Sequence, residues 1–527
     1  MPTAAPSPVL DDAAIAVRNR TVIGLLIGSA FVVILNETLM GVAIPVLIES
    51  LGITASLAQW LTTAFMLTLA VIIPITGFLL QRFSTRTMYL IAMSLFTVGT
   101  VIGAVAPGFE VLLLGRIVQA SGTAIIFPLL FTTVFALVAP ERRGRVVGTI
   151  STVIAVAPAL GPSISGLILS FADWRWLFIT MLPIAIAALV IGAVRMVNVG
   201  ELRPGRLDVL SVLLSIPGFG GLVYGLAEFG EAGRQPAEQA ASTTATAGIA
   251  LAIGLASLAL FVWRQVVLQR TDGALLDLRT FAERQFAVSI AIVTVASMAL
   301  FGAIILIPLF VQDVIGASAL ISGLIILPGA LLQGLLAPWI GRRYDAVGPT
   351  SLVIPGSILL AGSLWGMSLF SALTPLWLIA VANIGVSLGL ALLFTPLLTN
   401  GLSALSPQLN SHGSAIVGTI QQVAGAAGIA LFISIAAAFS GSDAETASVT
   451  AEGVHAAFTA GAIIATLTIP AVFLVRRTPV PSGHGPAHEG DGAHSVDATP
   501  SGEALTSNGA APSGEATAPE ATPTAAN

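Results

Sequence analysis

Long apolar runs, each broken by a short polar turn, recur along the chain from Val22 to Val475. A helix needs about 20 mostly apolar residues to cross a bilayer. Six runs of that kind occupy residues 22–47, 57–80, 88–106, 111–137, 147–169 and 177–194. Two more follow at 209–226 and 247–263. The last six lie at 286–311, 319–340, 351–369, 375–398, 413–438 and 454–475. The pattern predicts an all-α membrane protein with about fourteen transmembrane helices. An even number places both termini on one side.

Arginine placement tests that count. Arg82 and Arg86 share a turn; further groups are Arg142, Arg143 and Arg145, then Arg203 and Arg206. Arg264, Arg270, Arg279 and Arg284 follow, then Arg342 and Arg343. All fall in alternate turns; the intervening turns hold Arg175, Arg234 and acids such as Glu49, Glu110, Glu231 and Glu238. Positive charge stays on the cytoplasmic side. The expectation is a multi-pass protein of a bacterial cytoplasmic membrane with both termini inside. The polar first residues lack a cleavable-signal pattern, and the first apolar run is too long for a signal peptide.

Composition agrees: 56% of the 527 residues are hydrophobic and 9% are charged, against about a quarter charged in soluble proteins. Cysteine is absent, which excludes disulfides, thiol catalysis and cysteine metal sites. No metal or other cofactor is expected. From residue 478 onward the chain is rich in Pro, Gly, Ser, Ala, Thr and Glu, a composition that predicts a disordered tail. Its His484, His488 and His494 read as solvated linker residues. No nucleotide-binding G-x-x-x-x-G-K-[ST] loop and no Ser/His/Asp set occurs, so an ATP-driven pump or an enzyme is not expected, nor is a nucleic-acid partner.

Some polar residues sit where lipid should exclude them. Glu37 lies inside the first span, in "FVVILNETLMGVAIP". A charge at a helix centre costs roughly 2.5–3.5 kcal/mol on insertion scales, and such acids are functional sites by default. One reading is a proton carrier whose hold on the proton changes with access to water. The other is a protonated acid that hydrogen-bonds a neighbouring helix. Arg116, in "LLLGRIVQASGTA", is the one basic residue well inside a span. It either approaches Glu37, which lies about 8 Å deeper, or snorkels to the interface. Gln119, one turn on, shares its face. In the fifth span Pro158, Gly161, Pro162 and Gly166 fall together, either as a plain kink or as a packed seam sealing one side of a cavity. The turn "GFLLQRFSTRT", with Gly77, Arg82 and Arg86, has a loose counterpart after the tenth span, "GRRYDAVGPT", with Asp345. Such recurrence hints at two related halves.

Together these motifs resemble the major facilitator superfamily, in its fourteen-span drug:proton antiporter branch. "LNETLMGVAIP" is similar to the branch's L-D-x-T-I-V-N-V-A-L-P, and "GFLLQRFSTR" to the loop motif G-x-L-a-D-R-x-G-R. "RIVQASGTA" matches R-x-x-Q-G-x-G, "APALGPSISG" resembles the antiporter motif, and "WRWLFITMLP" the W-R-W-x-F-x-x-N-x-P signature. There are departures. The motif Asp falls on Asn36, with the acid one position on; the loop acid is Gln81; Met181 replaces an Asn; Gln421 stands where relatives often carry Arg. The "LNET" version looks most like the lincomycin-resistance exporter subgroup.

The resemblance implies two six-helix bundles, at 22–197 and 286–477, flanking two linking spans and their loops at 198–285. Residues 1–21 form an N-terminal segment and 478–527 the tail. It implies alternating access, with Glu37 trading protons against substrate and Arg116 setting its proton affinity. Asn36, Met40 and Gln119 are expected at the cavity. The partners implied are a small amphipathic substrate, protons and the lipid bilayer, with the protein a monomer. Export of drugs or lincosamide-like antibiotics and export of an endogenous metabolite with incidental drug efflux both fit. Proton-driven uptake fits less well, because "ALGPSISG" favours antiport, and a sensor on this fold would not need Glu37 and Arg116.

Overall fold

Fourteen helices long and apolar enough to cross a membrane are present among the described residues of the computed structural model, which are 12–199, 202, 207–232, 237–440 and 450–478. Residues 1–11, Arg203, Arg206, Arg234 and the tail histidines lie outside them. The first six spans are α1 (Asp12–Leu51), α2 (Ala55–Arg82), α3 (Thr85–Val105), α4 (Phe109–Leu137), α5 (Arg143–Leu169) and α6 (Arg175–Arg195). The seventh is split into α7 (Val209–Ser215) and α8 (Gly221–Ala232), and the eighth is α9 (Ala237–Leu268). Then come α10 (Arg284–Leu309), α11 (Ala319–Val347), α12 (Thr350–Ser368), α13 (Leu376–Ser403), α14 (Asn410–Ala438) and α15 (Ala451–Val472).

Most helices outrun the apolar runs that predict them. α1 begins ten residues before Val22 and α9 ten before Ala247. A helix satisfies its own backbone, so polar ends continue it beyond the hydrocarbon. Stops are set locally. The side chains of Thr54, Ser84, Ser318 and Thr450 cap the starts of α2, α3, α11 and α15. Gly348, with φ +81°, ends α11 in a conformation that side-chain-bearing residues avoid.

The seventh span differs from the continuous helix its sequence predicts. A π-helical turn at Ile216–Gly220 interrupts it. Pro217 lacks the N–H that regular helical bonding needs there. Its first turn is pinned to α9, where Arg264 donates twice to Asp208 at 2.6 Å. This pair holds the Asp208 carboxyl down at about 2.

α1 to α6 pack together, and α10 to α15 form the second bundle. The bundles meet along two seams, α2 with α14 and α5 with α11. At the α5–α11 seam, a Cβ on Gly341 would lie 2.0 Å from the Gly144 carbonyl oxygen, and one on Gly148 2.4 Å from that of Ala337. These glycines let the two backbones touch. The Thr152 hydroxyl donates to the Gly334 carbonyl at 2.7 Å. At the α2–α14 seam, Gly77 abuts His412, and Gln81 donates to the Gln408 carbonyl at 2.8 Å and to Ser411 at 3.1 Å.

Every hydrogen bond between the bundles, among the described residues, lies in the half nearest the Arg82, Arg143 and Arg342 turns. Toward the other end α5 turns to α1, where a Cβ on Gly161 would meet Thr38 Oγ1 at 2.1 Å. There the α2–α14 seam is covered by the split span: Tyr224 stacks on Trp60 of α2 at 5.8 Å, and Gly230 abuts Ala430 of α14. Among the described residues the bundles are therefore tied to each other by hydrogen bonds at the arginine-rich end alone, and the space between them toward the opposite end is crossed by none.

Candidate functional site

α1 carries the site's acid and its nearest amide on adjacent residues. Successive helical residues point about 100° apart, so the two look in different directions. Asn36 is 2% exposed and faces α4, whereas Glu37 is only partly buried. The stripe of α1 that contains Glu37 is sealed on the arginine-rich side, where Leu26, Ala30 and Val33 are fully buried. On the other side the same stripe opens, with Gly41 and Pro45 exposed and Ile44 half-buried. Glu37 thus sits at the floor of the gap between the bundles. No described residue hydrogen-bonds or ion-pairs with its carboxylate.

Arg116 of α4 is the centre of a buried polar cluster. It is 1% exposed and does not extend to the interface. Its Nη1 donates to Asn36 Oδ1 at 3.3 Å and to Gln119 Oε1 at 2.8 Å, and its Nε to the Leu61 carbonyl of α2 at 3.5 Å. The guanidinium lies 4.1 Å from the ring centroid of Phe65, a cation–π arrangement. Gln119 passes the chain on, donating to Thr100 of α3 at 2.9 Å. One side chain therefore ties together α1, α2, α4 and, through Gln119, α3. Sequence reasoning had no signal for Leu61, Phe65 or Thr100, because a carbonyl, a ring and a hydroxyl in an apolar span look like packing.

The position where the motif has an acid, Asn36, offers Arg116 a neutral oxygen. The ionisable oxygen stands on the next residue, outside hydrogen-bonding reach. Arg116 therefore binds the neutral oxygens of the cluster, and the Glu37 carboxylate is no member of it. Asn36, Met40 and Gln119 do not face the open gap, which corrects the expectation. They are 2%, 2% and 0% exposed. The two amide oxygens accept from Arg116, the Gln119 amide nitrogen donates to Thr100, and Met40 lies in an apolar cluster with Ala43, Leu47, Leu61 and Trp174.

The fifth-span motif divides. Gly161 and Ser165 bind α5 to α1, with the Ser165 hydroxyl donating to the Leu39 carbonyl at 2.9 Å. Pro158 is half-buried, Pro162 and Gly166 are exposed, and a Cβ on Gly166 would meet nothing within 4 Å. Gly166 is thus no part of the seam expected for it. The motif's packed contact is within the first bundle, and the seam between bundles runs earlier on α5, from Gly144 to Val156. Of the loop residues, Arg82 is exposed, while Arg86 donates to the Ala193 carbonyl at 2.6 Å. Asp345 accepts the backbone N–H groups of Gly144 and Arg145 at 2.8 and 2.9 Å. It places a carboxylate on the N-terminus of α5, where the helix dipole favours negative charge.

The second bundle repeats the frame. Arg116 is the eighth residue of α4, and Asn383 the eighth of α13. Arg116 donates to the seventh residue of α2; Asn383 donates to Ile325, the seventh of α11, at 3.4 Å. Phe65 is matched by Gly329, and Gln81 by Asp345, at equal steps along α2 and α11.

A membrane-spanning frame of two like bundles, with ionisable groups between them, is that of a membrane transporter. The sequence profile of the Major Facilitator Superfamily matches residues 26–429, and the chain belongs to that family. It is 37% identical to the lincomycin resistance protein LmrB of Listeria monocytogenes, over 88% of this chain and 98% of that one. It is 30% identical to the multidrug resistance protein B homolog of Mycobacterium tuberculosis, over 75% of this chain and 72% of the other. In fold it is similar to the human organic anion transporter MFSD10, with a TM-score of 0.62 at 15% identity, covering 87% of this chain and 99% of that one. The protein is a multi-pass membrane transporter of small substrates, not an enzyme.

Proposed function

We propose that the protein exports amphipathic drugs or antibiotics, lincosamide-like ones among them, in exchange for protons at Glu37. The observation that carries this reading is the placement of Glu37 at the floor of a gap open at one end only, beside a buried Arg116 that it does not touch. With the arginine-rich end cytoplasmic, both termini lie inside and the gap opens outward. Glu37 then faces the side from which protons enter. Protonation removes the negative charge opposing Arg116 and lets the bundles rock about their seams. Reopening inward exposes the acid to the cytoplasm, where it releases its proton and the site takes up substrate. The names of the LmrB and multidrug relatives support an antibiotic substrate. The two bundles suffice for one transport path, so the working unit is a monomer.

The test is resistance in a pump-deficient host, with and without an uncoupler. Lincomycin resistance that disappears on uncoupling is the expected result. Resistance that survives it rules out proton coupling. A host gaining no drug resistance at all would favour export of an endogenous metabolite instead.

A further inference from the structure

Three side-chain amides sit in the middle of spans of the second bundle without a hydrogen-bond partner among the described residues: Gln333 of α11, and Gln421 and Gln422 of α14. All three are part-buried. An amide aimed at lipid loses its hydrogen bonds with nothing in return, so the directions of these three matter. Gln333 is two residues from Leu335, which is 70% exposed, and hence points to the opposite side of α11. It lies one turn from Gly329, which abuts Asn383 and Ser387 of α13, and beside Gly334, which abuts Val156 of α5. Gln421 and Gln422 lie one turn past Gly418, which abuts Ile73 of α2, and one turn before Gly425, which abuts Phe301 of α10. That direction is the gap between the bundles.

Their depth matches that of Glu37. Glu37 is fourteen residues from the open end of α1, and Gln333 fourteen from that of α11, both about 21 Å at 1.5 Å per residue. Gln421 and Gln422 are seventeen and sixteen residues from the open end of α14, about 25 Å. The floor of the gap therefore presents one carboxyl on one wall and three amides on the other. The nearest cation, Arg116, is withdrawn beneath Phe65 to 1% exposure.

We infer that Gln333, Gln421 and Gln422 form the substrate-recognition wall, and that the substrate is an amphipathic molecule with several hydroxyl or amide groups and no negative charge. Amides both donate and accept, so they pair with hydroxyls and amides alike. They offer a carboxylate or phosphate no compensating charge, and Glu37 repels one. The apolar surfaces of the surrounding helices take the remainder of the molecule. The inference rests on the reading of this gap as the transport site, and deepens it by assigning recognition to the bundle that lacks the acid.

The test is equilibrium binding to purified protein, with no gradient imposed, so that it stands or falls apart from proton coupling. Lincomycin, rich in hydroxyls and carrying an amide, is one probe; tetraphenylphosphonium, a lipophilic cation with no hydrogen-bonding group, is the other. A neutral hydrogen bond contributes about 1 kcal/mol, so Gln421→Leu and Gln333→Leu should each weaken lincomycin binding about fivefold. Tetraphenylphosphonium should change less than twofold, and Gln421→Asn should recover part of the loss. Unfolding temperatures of the variants, compared with the parent, separate lost recognition from lost structure, and Gln421→Met and Gln333→Met serve if the Leu variants unfold. No lincomycin binding by the parent, no change in folded variants, or equal loss for both probes would overturn the proposal.

Discussion

The two bundles share a frame and differ in chemistry. At the eighth residue of the fourth helix the first bundle has Arg116 and the second Asn383; both reach a backbone carbonyl at the same step of a neighbouring helix. Counting back eight residues from Pro45 of α1 gives Glu37; counting back eight from Pro308 of α10 gives Leu300. Near the arginine-rich end the asymmetry is reversed: α2 has neutral Gln81 on the start of α14, and α11 has Asp345 on the start of α5. A repeated scaffold therefore fixes where helices are tied, while the residue at each tie is free to diverge. One bundle holds the intramembrane carboxyl, Glu37, and the other holds the stronger electrostatic latch.

The comparison breaks most visibly at the paired ties. Arg116→Leu leaves Asn36, Gln119 and the Leu61 carbonyl without their donor, and a hydrogen bond to a charged group contributes about 1.5–3 kcal/mol. Asn383→Leu removes a neutral hydrogen bond and should cost about 1 kcal/mol. Thermal unfolding of the two variants should differ accordingly; equal shifts would mean the two positions do the same work.

The α5–α11 seam is next. Gly341→Ala puts a methyl group against the Gly144 backbone, a strain of about 1–3 kcal/mol carried by the closed form alone. Crosslinking between cysteines introduced across the seam, into a chain that has none, should fall about tenfold. Unchanged crosslinking would place closure elsewhere. Asp345→Asn should weaken the same seam by roughly 0.3–2 kcal/mol, and Gln81→Asp should strengthen the other by a similar or smaller amount. The smallest effect is expected at Gly166→Ala, where nothing lies within 4 Å: transport should match the parent.

The Asp208–Arg264 pair at the start of the seventh span sets a pH limit. Asp208, held at about 2 by Arg264, has a lower folded than unfolded value, so its contribution is full above about 4 and falls only as pH drops through 2. Unfolding temperatures of Asp208→Asn and parent should differ by a constant amount from pH 5 to 8.

Much of the frame was legible because spans and arginine turns obey bilayer constraints that act on every residue. Glu37 and Arg116 stood out for the same reason, as charges where lipid forbids them. The route between them was not legible. It depends on a one-residue offset that turns Asn36 toward α4 and Glu37 toward the gap. The roles of Phe65 and Thr100 arise only once α2, α3 and α4 are packed. Gly166 misled because a glycine near a Pro kink reads as a close contact, whereas only Gly161 meets another helix there. The split in the seventh span followed from Pro217, whose effect on hydrogen bonding depends on the turn around it. Gln421 stood out only as a departure from the motif, and Gln333 and Gln422 passed unmarked, because glutamines in a span read as packing until their neighbours show which way they point.

The most direct test of Glu37 is made in proteoliposomes holding purified protein, with substrate flux and internal pH recorded together. In the parent, downhill substrate movement should drive protons the opposite way. Glu37→Gln should still exchange substrate for substrate, yet move no protons and fail to accumulate substrate against its gradient. A Gln variant that couples proton flux to substrate as the parent does would contradict the account.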